Sequence, residues 1–289
     1  MAINYQTLKN WTLPEVEQRY TARDTMLYAL GCAVGTDPMD EKALRFVYEK
    51  DLLALPTMAA VLAHPGFWLK DPGTGVDWVK LVHGEQRVRV HKPIPPQATV
   101  RARTRVSGIV DKGAGKGAII ISERKVVDAA DGSAIATIEQ VTFCRGDGGY
   151  STSGQPSDQP SEPLPATPEG APDASLDLPT RPETALVYRL SGDYNPLHAE
   201  PAVAKAAGFP KPILHGLSTY GVAGHALLQL CCDYRPERLK SMNVRFSSPA
   251  YPGDTIRTEV WKATGRVHFR ARAIERDVVV LSHGVAEIA

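Results

Sequence analysis

Asp193 and His198 stand five residues apart in the string Leu190-Ser191-Gly192-Asp193-Tyr194-Asn195-Pro196-Leu197-His198. A carboxylate and an imidazole aimed at one small volume can hold and activate a water. That is general acid–base chemistry, and it needs neither a metal nor a covalent intermediate. On one continuous α-helix five residues turn by about 140°, so the two side chains would diverge. Pro196 also disfavours helical backbone at Asn195. The string therefore reads as a turn that sets acid and imidazole side by side, with a short helix from Pro196 onward. Asn195 takes a supporting role, orienting the water or fixing the turn. Taken alone, the string is equally explained as a loop with an Asx-turn in which Asp193 only caps a helix.

A second string, Gly208-Phe209-Pro210-Lys211-Pro212-Ile213-Leu214-His215-Gly216, shifts that balance. YRLSGDYNPLH followed by GFPKPILHG closely resembles the hydratase 2 signature of MaoC-like, R-specific enoyl-CoA hydratases. The resemblance continues through NVRFSSPAYPGDTIRTEVWKATGRVHFRARA and touches His83-Gly84-Glu85-Gln86, so it covers nearly the whole chain. It implies reversible syn hydration of a trans-2-enoyl-CoA to the (R)-3-hydroxyacyl-CoA. The partner is then an acyl-CoA thioester, and no cofactor is expected beyond the coenzyme A that the substrate carries.

Such a reaction needs a base for the water, an acid for the α-carbon and a donor for the enolate oxygen. Asp193 and His198 are the candidates for the first two. A backbone N–H opening a helix suits the third, because the helix N-terminus favours developing negative charge. Gly216 opens an apolar helix after His215, and the resemblance points to the same glycine. His215 is expected to shape that loop, and Glu85 to anchor the interface between copies. Coenzyme A phosphates call for basic residues at the entrance, where Lys211, Arg245 and Arg257 are the candidates by position. Three competing readings share the fold or the ligand: a dehydratase of acyl-carrier-protein thioesters, a non-catalytic acyl-thioester-binding protein and a thioesterase. The binding protein would be expected to have lost Asp193 or His198.

The elements that must position these groups come in two rounds. A helix is expected from Asp24, as N-cap, to Gly35, then a short one from Asp40 to Lys50. A buried apolar helix follows over TMAAVLAH to His64, with Pro56 near its start. From Asp77 the chain turns to β-branched segments broken at Pro93–Pro96, Gly113–Gly117 and Asp131-Gly132, which read as an antiparallel sheet. Residues 146–178 are packed with Gly, Ser, Pro and acidic side chains and read as a linker. Then the order repeats, with an apolar helix from Gly216 and four more strands. Gly221 and Gly224 are expected to let the sheet approach that helix, with His225 on its polar side.

Arg89, Pro93, Pro96, Thr99 and Arg101 match Arg245, Pro249, Pro252, Thr255 and Arg257 at one offset (249 − 93 = 156). Such self-similarity implies two copies of one fold. A helix followed by antiparallel strands matches the hot-dog fold, so the expected class is α+β, a double hot dog. Its parts are a degenerate N-terminal half (1–145), which the resemblance to hydratase 2 implies accommodates the acyl chain, the linker (146–178) and a catalytic half (179–289). Where the second copy has Gly192 to His198, the first has Cys32-Ala33-Val34-Gly35-Thr36-Asp37-Pro38. One active site per chain is expected.

Charge excludes other classes. Among 289 residues, 33 Lys and Arg against 32 Asp and Glu leave a formal charge of +1, so no global field favours nucleic acid or an anionic membrane. No apolar run is long enough to span a bilayer. Four cysteines without a Cys-x-x-Cys pair fit buried thiols in a reducing compartment. The sequence opens without an apolar signal and ends in Ala286-Glu287-Ile288-Ala289, so a cytoplasmic protein is expected. His64, His91, His225, His268 and His283 show no metal-ligand pattern, and no metal is expected. A homodimer is the preferred assembly.

Overall fold

The computed structural model describes residues 3–289. The strands are β1 (Val16–Tyr20), β2 (Leu81–Val90), β3 (Ala98–Asp111), β4 (Ala118–Asp128), β5 (Ala134–Cys144), β6 (Ala174–Pro179), β7 (Leu239–Phe246), β8 (Thr255–Ala263), β9 (Arg266–Ala273) and β10 (Val278–Ile288). They form one antiparallel sheet in the order β1-β3-β4-β5-β2-β7-β10-β9-β8-β6. The order reads the same from either edge once β1 to β5 are equated with β6 to β10 in the matching pattern. The halves meet at β2 and β7, where Glu85 lies opposite Arg245, Arg87 opposite Asn243 and Arg89 opposite Ser241. The sequence offset carries Arg89 to Arg245 and Glu85 to Ser241 (245 − 89 = 156; 241 − 85 = 156). The repeat is thus a local two-fold centred on the Arg87–Asn243 pair. The chain is a double hot dog in α+β class.

The helices are α1 (Tyr5–Lys9), α2 (Ala22–Leu30), α3 (Glu41–Leu44), α4 (Thr184–Tyr188), α5 (Pro201–Ala206) and α6 (Gly216–Cys232). Among the described residues, one long helix is wrapped by sheet. α6 runs for 17 residues and is buried on nearly every side, with Tyr220, Val222, Leu227 and Leu228 wholly inaccessible. Burial of each such side chain contributes about 1.5–3 kcal/mol. The helix stops where Asp233 and Tyr234 take left-handed backbone (φ 51° and 54°) ahead of Pro236.

Its counterpart in the first half is a single 3-10 turn, Pro56–Ala60. The expected helix through His64 does not form. Pro65 disfavours helical backbone at His64, and Ala63 is left-handed (φ 45°). Buried Arg124 donates to the Ala60 carbonyl (2.5 Å), satisfying the open end of the turn.

Other expectations are corrected in detail. α2 starts at Ala22, and Asp24 sits inside its first turn, where its carboxylate accepts from the Thr21 N–H (2.8 Å) and hydroxyl (2.7 Å). It ends at Leu30, short of Gly35. Asp40 caps a helix of only four residues. Gly221 and Gly224 of α6 make room for the first half rather than for the sheet. A Cβ at Gly221 would meet Cys32 Sγ at 2.2 Å, and one at Gly224 would meet Thr57 Cγ2 at 2.4 Å.

His225 is not on a polar face either. It is buried beside Tyr234, with neither ring nitrogen partnered among the described residues, and burial pulls its pKa down to about 4. Within 146–178, Ala174–Pro179 is edge strand β6 on β8, carried by Ala174, Leu176 and Leu178 facing inward in alternation. Asp158 pins the preceding stretch to the first half, accepting from Lys9 Nζ (2.7 Å), Tyr5 Oη (2.8 Å) and the Ile109 N–H (2.9 Å). Among the described residues no helix is long and apolar enough to cross a membrane.

Candidate active site

The turn after α4 is built by two successive Asx-type bonds. Gly192 reverses the chain at φ 115°. Asp193 Oδ1 then accepts from the Asn195 N–H (3.2 Å), and Asn195 Oδ1 accepts from the Leu197 N–H (3.0 Å). Pro196–His198 forms one 3-10 turn. The loop forms as an Asx-turn, and the same bonds that make the turn set Asp193 and His198 on one side. Asn195 fixes the turn and is itself exposed.

Donor atoms of Asp193, His198 and His215 lie within 4.8 Å of one another. His198 is buried, and its Nδ1 donates to the Ile213 carbonyl (2.9 Å), which leaves the Nε2 lone pair free. Burial lowers its pKa from the usual 6.5, while the Ile213 carbonyl and the Asp193 charge oppose that shift. Its ring stacks on His215 at 3.8 Å and 27°. His215 Nε2 donates to the Asp193 carbonyl (3.2 Å), and burial together with His198 holds its pKa at about 4. His215 thus supports the turn from behind, neutral at any working pH.

A metal fits this trio poorly. Imidazole lone pairs lie in the ring plane, so two stacked, nearly parallel rings project them side by side rather than towards one ion. His215 Nε2 is also engaged by backbone.

Gly216 opens α6 behind His215, whose extended backbone (φ −58°, ψ 133°) turns the chain into the helix. A Cβ there would press on Phe246 at 3.1 Å, so the glycine lets the last residue of β7 lie flat against the helix start. Phe246 in turn contacts His83 of β2 (ring centroids 4.5 Å, 56°). His83 comes from the first half, and its Nε2 is buried without a partner among the described residues. The Asp193 charge works against the lowering of the His83 and His64 pKa values. Burial holds His83 neutral, at about 4. Residue types alone did not single out His83 or His64. The only sequence signal was the HGEQ string beside Glu85.

The basic candidates separate. Lys211 lies two residues before Ile213, with its ammonium 5.2 Å from the Tyr251 ring centroid. Arg245 is engaged by Glu85 (2.9 Å), which also takes Arg87 (2.6 Å) and so ties β2 to β7. Arg257 forms a two-pronged pair with Asp177 (2.7 Å each) that fastens edge strand β6 to β8.

Comparison with known proteins agrees with this architecture. Residues 163–283 match the family described as MaoC like domain, and residues 18–146 match the MFE-2 hydratase 2 N-terminal domain. A 3-hydroxyacyl-thioester dehydratase Y of Mycobacterium tuberculosis is 39% identical over 99% of both chains. The peroxisomal enoyl-CoA hydratase 2 of Arabidopsis thaliana is 37% identical over 93% of this chain and 91% of its own. The chain belongs to the MaoC-like hydratase 2 family. The crystal structure of a MaoC-like dehydratase from Phytophthora capsici superposes with a TM-score of 0.86 at 33% identity, over 99% of each chain. The protein is an enzyme of the hydratase–dehydratase class.

Proposed function

We propose that the protein reversibly adds water across the double bond of trans-2-enoyl-CoA to give (R)-3-hydroxyacyl-CoA. The observation that carries this reading is the approach of Asp193 to His198, a ring anchored through Nδ1 alone, in a turn just ahead of a 17-residue helix. A water held between carboxylate and imidazole gives up a proton to the pair as its oxygen bonds C3. The π electrons move onto the thioester oxygen, and the C2–H bond then forms with the proton held by the pair. Addition and protonation from one side give syn stereochemistry. The enolate forms against the Gly216 N–H, where the helix end favours negative charge. Lys211, on the strap leading to α6, is the candidate for a coenzyme A phosphate.

The test follows the ultraviolet absorbance of enoyl-CoA substrates of graded length, with the configuration of the product resolved. Wild type is expected to consume the enoyl band and release the R product. Asp193→Asn and His198→Ala are each expected to lose about 10²- to 10⁴-fold in kcat while keeping the fold. Wild-type-like rates in either variant would sink the mechanism. Turnover of acyl-carrier-protein thioesters alone would move the substrate to that carrier.

A further inference from the structure

The internal repeat supplies a control for every residue of the site. Around the β2–β7 seam the copies are related by the offset of 156, and around the helices by 160, as in Tyr28 and Tyr188 (188 − 28 = 160). Asp193 is replaced by Ala33, His198 by Pro38 and Gly216 by Pro56. Leu55 before Pro56 has the same extended backbone (φ −66°, ψ 132°) as His215 before Gly216, so the two helix starts correspond in structure as well as in number. His83 corresponds to Leu239 (239 − 83 = 156) and Phe246 to Val90 (246 − 90 = 156).

These mirror residues occupy mirror places. Pro56, Val90 and Leu239 line one small void between the halves at the N-terminal corner, as Gly216 and His83 both lie against Phe246 at the other. Both His83 and Leu239 sit at a register shift of their strand. Gly84 is skipped between His83 and Glu85 in pairing with β5, and Lys240 between Leu239 and Ser241 in pairing with β10. Such a bulge re-aims the neighbouring side chain. In the inactive corner that side chain is leucine, 2% exposed within the core. In the active corner the same bulge turns in an imidazole whose Nε2 has no partner among the described residues. A buried nitrogen left without a hydrogen bond costs stability, and the mirror position shows that the fold itself accepts leucine there.

We propose that His83, carried by the half that lacks the acid–base pair, contacts the substrate in the active site, with its Nε2–H donating to the thioester oxygen beside the Gly216 N–H. The proposal rests on the hydration reading above. A neutral imidazole is a suitable donor to a developing enolate, because it gives a hydrogen bond without giving up a proton. Burial keeps His83 neutral throughout the working range. The first half is then part of the catalytic centre, not only a wall for the acyl chain.

The test compares wild type with His83→Phe, which keeps a ring against Phe246 and removes the donor, and with His83→Gln, which restores an N–H. Should the phenyl ring not be accommodated, His83→Leu, which copies Leu239, takes its place. With trans-2-enoyl-CoA, kcat of His83→Phe is expected to fall at least about ten-fold with little change in KM, since the bond strengthens as the enolate forms. His83→Gln is expected to recover part of the loss, and the thermal midpoint of His83→Phe to equal or exceed that of wild type. A His83→Phe enzyme within two-fold of wild type in kcat overturns the role of His83 and leaves the hydration reading standing. A wild type inactive on every enoyl thioester overturns both.

Discussion

The two corners of this molecule share strand order, bulge and helix entry, yet only one carries an acid–base pair. At the C-terminal corner a carboxylate and an imidazole approach each other, and a helix-opening glycine and a second imidazole from across the seam both lie against Phe246. At the N-terminal corner the same places hold Ala33, Pro38, Pro56 and Leu239. Each replacement removes a proton donor or acceptor, and proline at the helix start removes the backbone N–H itself. The shared scaffold shows that the sheet does not depend on these polar groups. The inactive half keeps its place for another reason, since without it α6 would lose the buried contacts of Gly221 and Gly224 with Cys32 and Thr57. It also carries His83, whose ring packs on Phe246 beside the start of α6.

Making the active corner like the inactive one gives the largest expected effect outside the acid–base pair. Gly216→Pro combined with Phe246→Val copies Pro56 and Val90. His215 already has the backbone that a following proline requires, so the fold is expected to persist. Loss of the N–H is expected to lower kcat by about 10²- to 10³-fold, read in the same absorbance assay. Retention of activity would remove the helix start from the mechanism.

A smaller effect separates the corners by pH. His215 and His225 are buried and neutral, each held at about 4 against the usual 6.5, and His198 is lowered in the same direction. Between about 4 and 6.5 the unfolded chain binds protons that the folded chain refuses, so stability rises with pH across that window and is lost as pH falls through it. The denaturation midpoint is expected to be lower at pH 5 than at pH 7.5. His225→Leu, remote from the chemistry, is expected to narrow that gap without changing kcat. Equal midpoints in wild type would refute the assignment of neutral, buried rings.

The smallest effect is expected at Asp37, the one carboxylate in the run that matches the catalytic turn. Its Oδ1 accepts the Met39 N–H (2.9 Å), and it borders a cavity of about 210 Å³ beside His225. Asp37→Asn is expected to leave kcat within two-fold of wild type. A loss as large as that of Asp193→Asn would mean two working corners.

Much of the site was legible because it is local. Asp193, Asn195 and His198 share one turn, and turn chemistry is written in Gly192 and Pro196. The repeat was legible as a constant offset because β2 and β3 kept their spacing in β7 and β8. Strands β1 and β6 were not, since each is five or six residues long and edge-paired, with an alternation too brief to stand out among polar and proline neighbours. The truncated helix after Pro56 was masked by its composition. Thr57 to His64 is apolar enough for a buried helix, and the break is set by Pro65 and by the contact of Arg124 with Ala60.

By itself the sequence determined which residues can exchange a proton, that two copies of one fold are present, and that only the second retains the acid, the base and the glycine. The tertiary structure alone decided which distant groups come together. His83 lies more than a hundred residues from Phe246, and the two rings meet because β2 pairs with β7 across the two-fold. The structure also decided that Arg245 and Arg257 are taken up by Glu85 and Asp177. Strand pairing across the seam is a long-range event, set by packing and register, and no local pattern of residues encodes it.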